Sequence, residues 1–197
     1  MTDTTDEELM LLLKYGDRSA FDTLYERYRA AVLRFIWRMI GNLHTAEDLA
    51  AEVFTALFEK RGLYSVQGRF STWLFTIARN TTLNEIQGMR RRLWRNVTYL
   101  ADAGDGRMTP LPCASSVEQA VLRCEERDRL NAVLAGVPVK YREILILHDV
   151  EEMSSEEIAE VMSVPAATIR TRLRRGRRLM REAIERGRPV DAGRRTD

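Results

Sequence analysis

Between residues 19 and 40 apolar side chains return every three or four positions, at Phe21, Leu24, Tyr25, Tyr28, Val32, Phe35, Ile36 and Met39, and Gly41 follows at once. A period near 3.6 ended by glycine is the pattern of a long amphipathic helix with one buried face. A helix cannot cover its own apolar stripe, so a chain that begins its core this way needs further helices or a sheet to pack on it.

The rest of the sequence supplies helices. Thr45 with Asp48 three residues on reads as a capping box that opens a second helix running to about residue 60. The segment "RGLYSVQGRF" carries two glycines and reads as a loop, and a third long helix is expected from about 71 towards 92. From 96 to 116 the sequence "NVTYLADAGDGRMTPLPCASS" loses periodicity and gathers Gly, Pro, Ala and Ser, the composition of a linker. Beyond it, helices are expected at 117–135, 139–149, 155–162 and 166–186, with Pro138 and Pro165 placed where proline suits a first helical turn. No strand-like alternation of useful length occurs. The expected fold is therefore all-α, with two small helical domains at 1–95 and 117–187, a flexible linker at 96–116 and a disordered tail at 188–197.

Charge is unevenly distributed. The formal net charge is only +2, but acidic residues crowd the first sixty positions while arginines crowd the stretch after Met89 and the last thirty. Basic residues are overwhelmingly Arg, whose planar fork suits phosphate and guanine edges; Lys stands only at Lys14, Lys60 and Lys140. The start, "MTDTTDEELM", has neither the basic region nor the apolar stretch of a signal peptide, and no run approaches the roughly 18 apolar residues of a membrane span. A cytoplasmic protein with no membrane insertion of its own is expected. Two cysteines, Cys113 and Cys124, are too few for a disulfide framework. Cys124 shares a helical face with Val117, Ala120 and Val121 and is expected to be a buried thiol, while Cys113 falls in the linker.

The most informative segment is "SSEEIAEVMSVPAATIRTRLRRGRRLM". Ser154 and Glu157 form a capping box, and Ile158, Val161 and Met162 give a short helix one apolar face. After the tight break "SVP", Ile169, Leu173, Gly176, Met180 and Ile184 recur at helical steps, so Arg170, Arg174, Arg175 and Arg178 point away from the packed stripe. Helix, short turn and basic helix make a helix-turn-helix, whose second helix enters the major groove by its N-terminal part. There Arg can bind guanine bidentately, and Thr can contact bases or phosphate.

The first block carries two further patterns. Asp48, Glu52, Thr55 and Glu59 form an acidic edge beside apolar Leu49, Val53 and Leu57. Such an edge repels DNA and suits a basic protein surface. On the following helix Thr76, Asn80, Asn84, Gln87 and Arg91 share one stripe; Asn and Gln match adenine edges, while Arg90, Arg91, Arg92 and Arg95 suit phosphates. Trp73 and Leu74 fall at core spacing, although aromatics beside a basic helix also suit unstacked bases.

Three segments together resemble bacterial sigma factors of the extracytoplasmic-function group, the minimal members of the sigma-70 family. "TAEDLAAEVFTALFEK" is similar to the family's polymerase-binding helix, "GRFSTWLFTIARNTTLNEI" to its helix for the -10 element, and "YREILILHDVEEMSSEEIAEVMSVPAATIRTRLRRGRRLM" to its region for the -35 element. The order and spacing of all three carry the likeness, over about residues 7 to 185. It implies that the domains correspond to sigma regions 2 and 4. It also implies that Glu47, Asp48, Glu52 and Glu59 dock on the clamp of core RNA polymerase, with a second contact to its flap. By the same resemblance the loop from Leu63 to Phe70 holds a flipped non-template base through Tyr64, Ser65 and Gln67. Asn80, Asn84, Gln87, Arg90 and Arg91 then contact the -10 region, and Thr168, Arg170, Thr171, Arg174, Arg175 and Arg178 the -35 element. In this family an anti-sigma factor is a common further partner. The chain departs from the pattern at Ala167, where the family usually has glycine, and at Ser155, where an aromatic residue is common.

No catalysis and no cofactor are expected. His44 and His148 stand far apart in sequence with no ligand or nucleophile motif around them, and phosphate-cradling Gly-rich loops are absent. The alternative is a conventional helix-turn-helix regulator that binds duplex DNA without polymerase, for which the acidic edge would be dispensable. A nucleic-acid enzyme would need a carboxylate cluster, but Asp48, Glu52 and Glu59 are spread too far along one helix to share an ion.

Overall fold

The computed structural model describes residues 4–66, 68–96 and 130–187, and within them there are helices and no strands. The helices are α1 (Asp6–Lys14), α2 (Arg18–Ile40), α3 (Leu43–Lys60), α4 (Phe70–Asn96), α5 (Val139–Asp149), α6 (Ser155–Met162) and α7 (Ala166–Gly187), with a 3-10 turn at Arg61–Leu63 and a helical segment at 130–135 before α5. The expected linker and tail, Cys113, Cys124 and the start of the helix at 117–135 lie outside the described residues.

The apolar stripe of α2 forms the centre of the first block. Leu24, Val32, Phe35, Ile36, Trp37 and Met39 are buried, and α1, α3 and α4 pack around them. Each such side chain stabilises by about 1.5–3 kcal/mol on full burial, enough for a small helical core without disulfide or metal. Gly41 ends α2 as the spacing predicts: it takes φ 86°, and its N–H donates to Trp37 O at 2.7 Å. That left-handed conformation is why glycine stands there.

Two findings differ from the sequence reading. Helix α1 precedes the helix expected at 19–40; Thr5 and Glu8 form its capping box, and Leu9, Met10 and Leu13 bury against the bundle. At the second helix the cap is Asn42 rather than Thr45. Asn42 Oδ1 accepts the Thr45 N–H at 2.9 Å, and the helix begins at Leu43. Asn caps a helix at least as well as Thr, and here it follows directly on the left-handed Gly41, so the chain turns straight from one helix into the next.

The helices expected at 139–149 and 155–162 occur at those residues, and α7 runs one residue beyond 186. Ser154 and Glu157 form the expected capping box of α6. Gly176 lies where α7 crosses α5: a Cβ there would sit 3.3 Å from Leu145 Cγ and 3.4 Å from Tyr141 Cβ. The glycine in the basic helix therefore permits close packing.

The two blocks touch directly, α2 against α5 and α4 against α6. Arg34 donates to both carboxylate oxygens of Glu151 at 2.9 and 2.6 Å, Arg79 to Glu143 at 2.9 Å and Arg69 to Glu157 at 2.8 Å. In all three pairs the cation belongs to the first block and the carboxylate to the second. Running the other way, Arg142 donates to Met39 O at 2.8 Å and also to Ala135 O and Val137 O. It thus sets a cation against carbonyls near the C-terminal ends of α2 and of the 130–135 segment, where a helix dipole favours positive charge. Burial lowers the pKa of this guanidinium from its usual value.

Candidate nucleic-acid and polymerase interfaces

Glu47, Asp48, Glu52 and Glu59 all stand on the exposed side of α3, because Ala46, Leu49, Val53, Phe54 and Leu57 occupy the buried side. Asp48 lies 3.9 Å from His44 one turn back on the same helix. Next to this acidic face lies a wide groove of about 1510 Å³ between α2 and α3, with Glu47 and Glu59 at its edge. Its floor is aromatic: Tyr25 meets Phe54 edge-on at 4.8 Å between centroids, and Phe21 meets Phe58 at 5.7 Å. Tyr25 remains 39% exposed, so an apolar surface is open to a partner. The spacing of the acidic residues marked this face, but the groove escaped it, since Phe21 and Tyr25 read as core positions of α2.

Along α4, Asn80, Asn84, Gln87, Arg90 and Arg91 are exposed, while Leu74, Phe75, Ile77, Ala78 and Thr82 face inward. The stripe holds as a surface, except that Thr76 turns its hydroxyl back to donate to Thr72 O at 2.8 Å. Arg92 pairs with Glu85, and the side chain of Arg95 lies outside the described residues. In the preceding loop Ser65 is exposed and Gln67 is outside the described residues. Tyr64 is 2% exposed: its ring packs edge-on against Trp73 at 5.4 Å and Phe70 at 6.3 Å, and its hydroxyl donates to Gly68 O at 3.3 Å. Burial, then the carboxylates of Glu7 and Asp6, raise the pKa of its phenol. Tyr64 therefore lies beneath the loop, and Leu63 and Val66 project outward at 79% and 52% exposure.

In the helix-turn-helix, Ser163 ends α6 at φ 53° and Val164 N–H donates to Ala159 O at 3.0 Å, closing the short turn before Pro165, which directly precedes α7. Ile169, Leu173 and Gly176 face inward. Arg170, Thr171, Arg174, Arg175 and Arg178 are exposed on the other side, with Thr168 half-buried at the first turn. Arg170 reaches Glu156 at 2.9 Å, Arg178 reaches Glu182 at 3.5 Å, and Arg175 lies over the Tyr141 ring at 5.9 Å. These pairs are water-exposed and worth little, so phosphates can displace the carboxylates.

Glu157 serves two neighbours. It accepts from Ser154 N–H at 2.8 Å and from Arg69 at 2.8 Å. Burial would raise its pKa, but the Ser154 hydrogen bonds and the Arg69 charge hold it below the usual glutamate value. For Glu143 the balance goes the other way: burial raises its pKa above the usual value, against the opposing pull of Arg79 and Arg172.

His148 contacts Asp149 at 2.9 Å, and His44 is exposed. Among the described residues no group of three His, Cys, Asp or Glu could hold a metal ion, and no helix is long and apolar enough to cross a membrane.

Comparison with known proteins matches both blocks of the chain to one family. Residues 24–95 match the model of Sigma-70 region 2, and residues 127–180 that of Sigma-70, region 4. The chain is 31% identical over 189 residues to the RNA polymerase sigma-H factor of Pseudomonas aeruginosa, covering 94% of this chain and 96% of that protein. It is 29% identical over 173 residues to the ECF RNA polymerase sigma factor SigW of Bacillus subtilis, covering 87% and 92%. Its fold is similar to that of the sigma factor RpoE of Bartonella quintana, solved with the anti-sigma factor NepR, at a TM-score of 0.67 and 20% identity, with 85% of this chain and 98% of that one covered. Two family regions in order, and a relative 31% identical along nearly the whole length of both chains, make this protein a member of the sigma-70 family of RNA polymerase sigma factors, in its extracytoplasmic-function group.

Proposed function

We propose that this chain binds core RNA polymerase through the acidic face of α3 and the aromatic groove beside it, and directs it to promoters by placing α4 on the -10 element and α7 on the -35 element. The observation that carries the reading is the separation of surfaces by charge. Glu47, Asp48, Glu52 and Glu59 occupy a face where DNA would be repelled, while Asn80, Asn84, Gln87, Arg90 and Arg91 on α4 and the Arg/Thr face of α7 suit bases and phosphates. The exposed Ser65, in the loop before α4, is the side chain read as meeting an unstacked base. The chain supplies binding and alignment and performs no chemistry itself, and its site of action is the cytoplasm.

The direct contact between the two blocks belongs to a resting state. The -10 and -35 elements lie about 25 base pairs apart, roughly 85 Å along the duplex, whereas α4 and α7, of 27 and 22 residues, span only about 40 and 33 Å. Blocks held together by Arg34–Glu151, Arg69–Glu157 and Arg79–Glu143 must part before both elements are engaged. An anti-sigma factor, as in the Bartonella complex, would act by keeping the α3 face or the two blocks from reaching polymerase.

The test is a binding titration of core polymerase with the Asp48→Lys/Glu52→Lys chain. Removal of two exposed acidic contacts and their replacement by like charge should weaken association at least tenfold at low salt, with helicity unchanged. Equal affinity would refute the α3 assignment.

A further inference from the structure

Helix α1 contributes no side chain to any of the surfaces above, yet it holds the loop before α4 at both ends. At the start of the loop Lys14 Nζ donates to Tyr64 O at 3.1 Å. At its end the Phe70 N–H donates to Glu7 Oε1 at 3.0 Å. Phe70 opens α4, so the Glu7 carboxylate also satisfies an unpaired donor at the positive end of that helix. Between the two anchors the Tyr64 ring is buried against Phe70 and Trp73, and the exposed Ser65 and Val66 are presented outward.

The rest of α1 is itself held in place. Asp6 pairs with Arg27 at 2.6 Å and accepts from Tyr28, Arg27 also donates to Thr4 O at 3.0 Å, and Leu9, Met10 and Leu13 are in the core. Lys14 and Glu7 lie seven residues apart, two turns of one helix, so both reach the same loop from a single rigid element. A loop that must recognise one base gains discrimination from being held in the receptive shape before the base arrives, since the ordering cost is then already met.

We propose that Glu7 and Lys14 are positioning residues for base recognition: by holding the backbone at Tyr64 and Phe70 they fix the exposed Ser65 and Val66 where an unstacked -10 base is received. The proposal rests on the reading of that loop as a base-binding element. Neither side chain touches DNA; both act through the backbone they hold.

The test uses the full chain reconstituted with core polymerase on a promoter fragment chosen from its own start sites. Each of the four bases is placed in turn at each non-template -10 position, and the rate of strand opening is followed by fluorescence of a base analogue. Lys14→Met and Glu7→Ala should each reduce discrimination at one -10 position about fivefold to tenfold, the effect of losing one charge-assisted hydrogen bond to the loop. Lys14→Arg and Glu7→Gln, which keep a donor and an acceptor, should restore most of it. Dependence on the -35 sequence and affinity for core polymerase should stay within twofold. A merely structural role would slow opening equally for all four bases, which overturns the proposal. Amide exchange separates the remaining failures. Unchanged discrimination with faster exchange in the loop would mean that the loop moved but reads no base, removing the reading beneath the proposal. Unchanged discrimination with unchanged exchange would mean that α1 does not hold the loop.

Discussion

The ion pair between Arg79 and Glu143 is the most buried of the three described between the two blocks, so it should weigh most in the balance between a packed and a parted state. Their side chains are 18% and 4% exposed, and Arg79 Nε lies 2.9 Å from Glu143 Oε2. Despite this partner, the pKa of Glu143 is raised, because burial outweighs the fields of Arg79 and Arg172. Removing one member of a buried pair costs about 3–5 kcal/mol when the other stays charged. Glu143 has two ways to soften that cost, uptake of a proton and the remaining field of Arg172. For Arg79→Met we therefore expect a destabilisation of the packed state by about 2 kcal/mol, roughly a thirtyfold shift towards the parted state. Because desolvation dominates, the double variant Arg79→Met/Glu143→Met should recover the packed population or exceed it. The assay is energy transfer between dyes at Tyr15→Cys, 85% exposed in the parent, and at Glu185→Cys on exposed α7, with Cys113 and Cys124 changed to Ser. Melting of each block is followed in parallel. A single variant that shifts the distance distribution less than twofold would refute the reasoning, as would a double variant that parts the blocks as far as the single one.

Three more predictions concern the stability of the chain. Asn42→Ala should cost about 1 kcal/mol, the usual loss of an N-cap, while Thr45→Ala should cost only a few tenths, measured by urea unfolding. Gly176→Ala sets a methyl 3.3 Å from Leu145 Cγ, a crowding that offsets the gain of about 1 kcal/mol in helix propensity, so the stability should stay within about 1 kcal/mol of the parent; a large fall in Tm would show that Leu145 cannot give way. The pKa of Glu157 is lower in the folded chain than in the unfolded one, so its contribution is present above the unfolded value and lost as pH falls through the folded one. Glu157→Gln should therefore be less stable than the parent near about pH 6, with the gap closing towards about pH 3; a gap that widens on acidification would contradict the sign.

Much of this architecture was legible because helices write their period into the sequence. The stripe from Phe21 to Met39, the glycine stop at Gly41 and the capping box at Ser154 are local patterns, and local physics decides them. The cap at Asn42 was misplaced because two acceptable caps stood three residues apart, and only the turn after Gly41 chooses between them. Helix α1 was missed although "TDEE" carries a capping box at Thr5 and Glu8, since nine residues offer little more than two turns of periodicity. The exposed faces of α3, α4 and α7 followed from arithmetic on helical spacing. Tyr64 could not be placed that way: a tyrosine in a glycine-rich loop gives no sign that it turns under the loop onto Trp73. The pairing of Arg34, Arg69 and Arg79 with glutamates 64 to 117 positions away was equally hidden, because contact between the two blocks is a tertiary choice that no local spacing records.

The central claim is that this chain gives core RNA polymerase its promoter choice. The most direct measurement is run-off transcription on sheared genomic DNA with purified core polymerase, with and without the chain, sequencing the 5′ ends. The account predicts new start sites that share two upstream motifs at fixed spacing, and their loss with Asp48→Lys/Glu52→Lys. If the chain adds no start sites while binding defined duplex sites alone, it acts as a conventional helix-turn-helix regulator and the claim is contradicted.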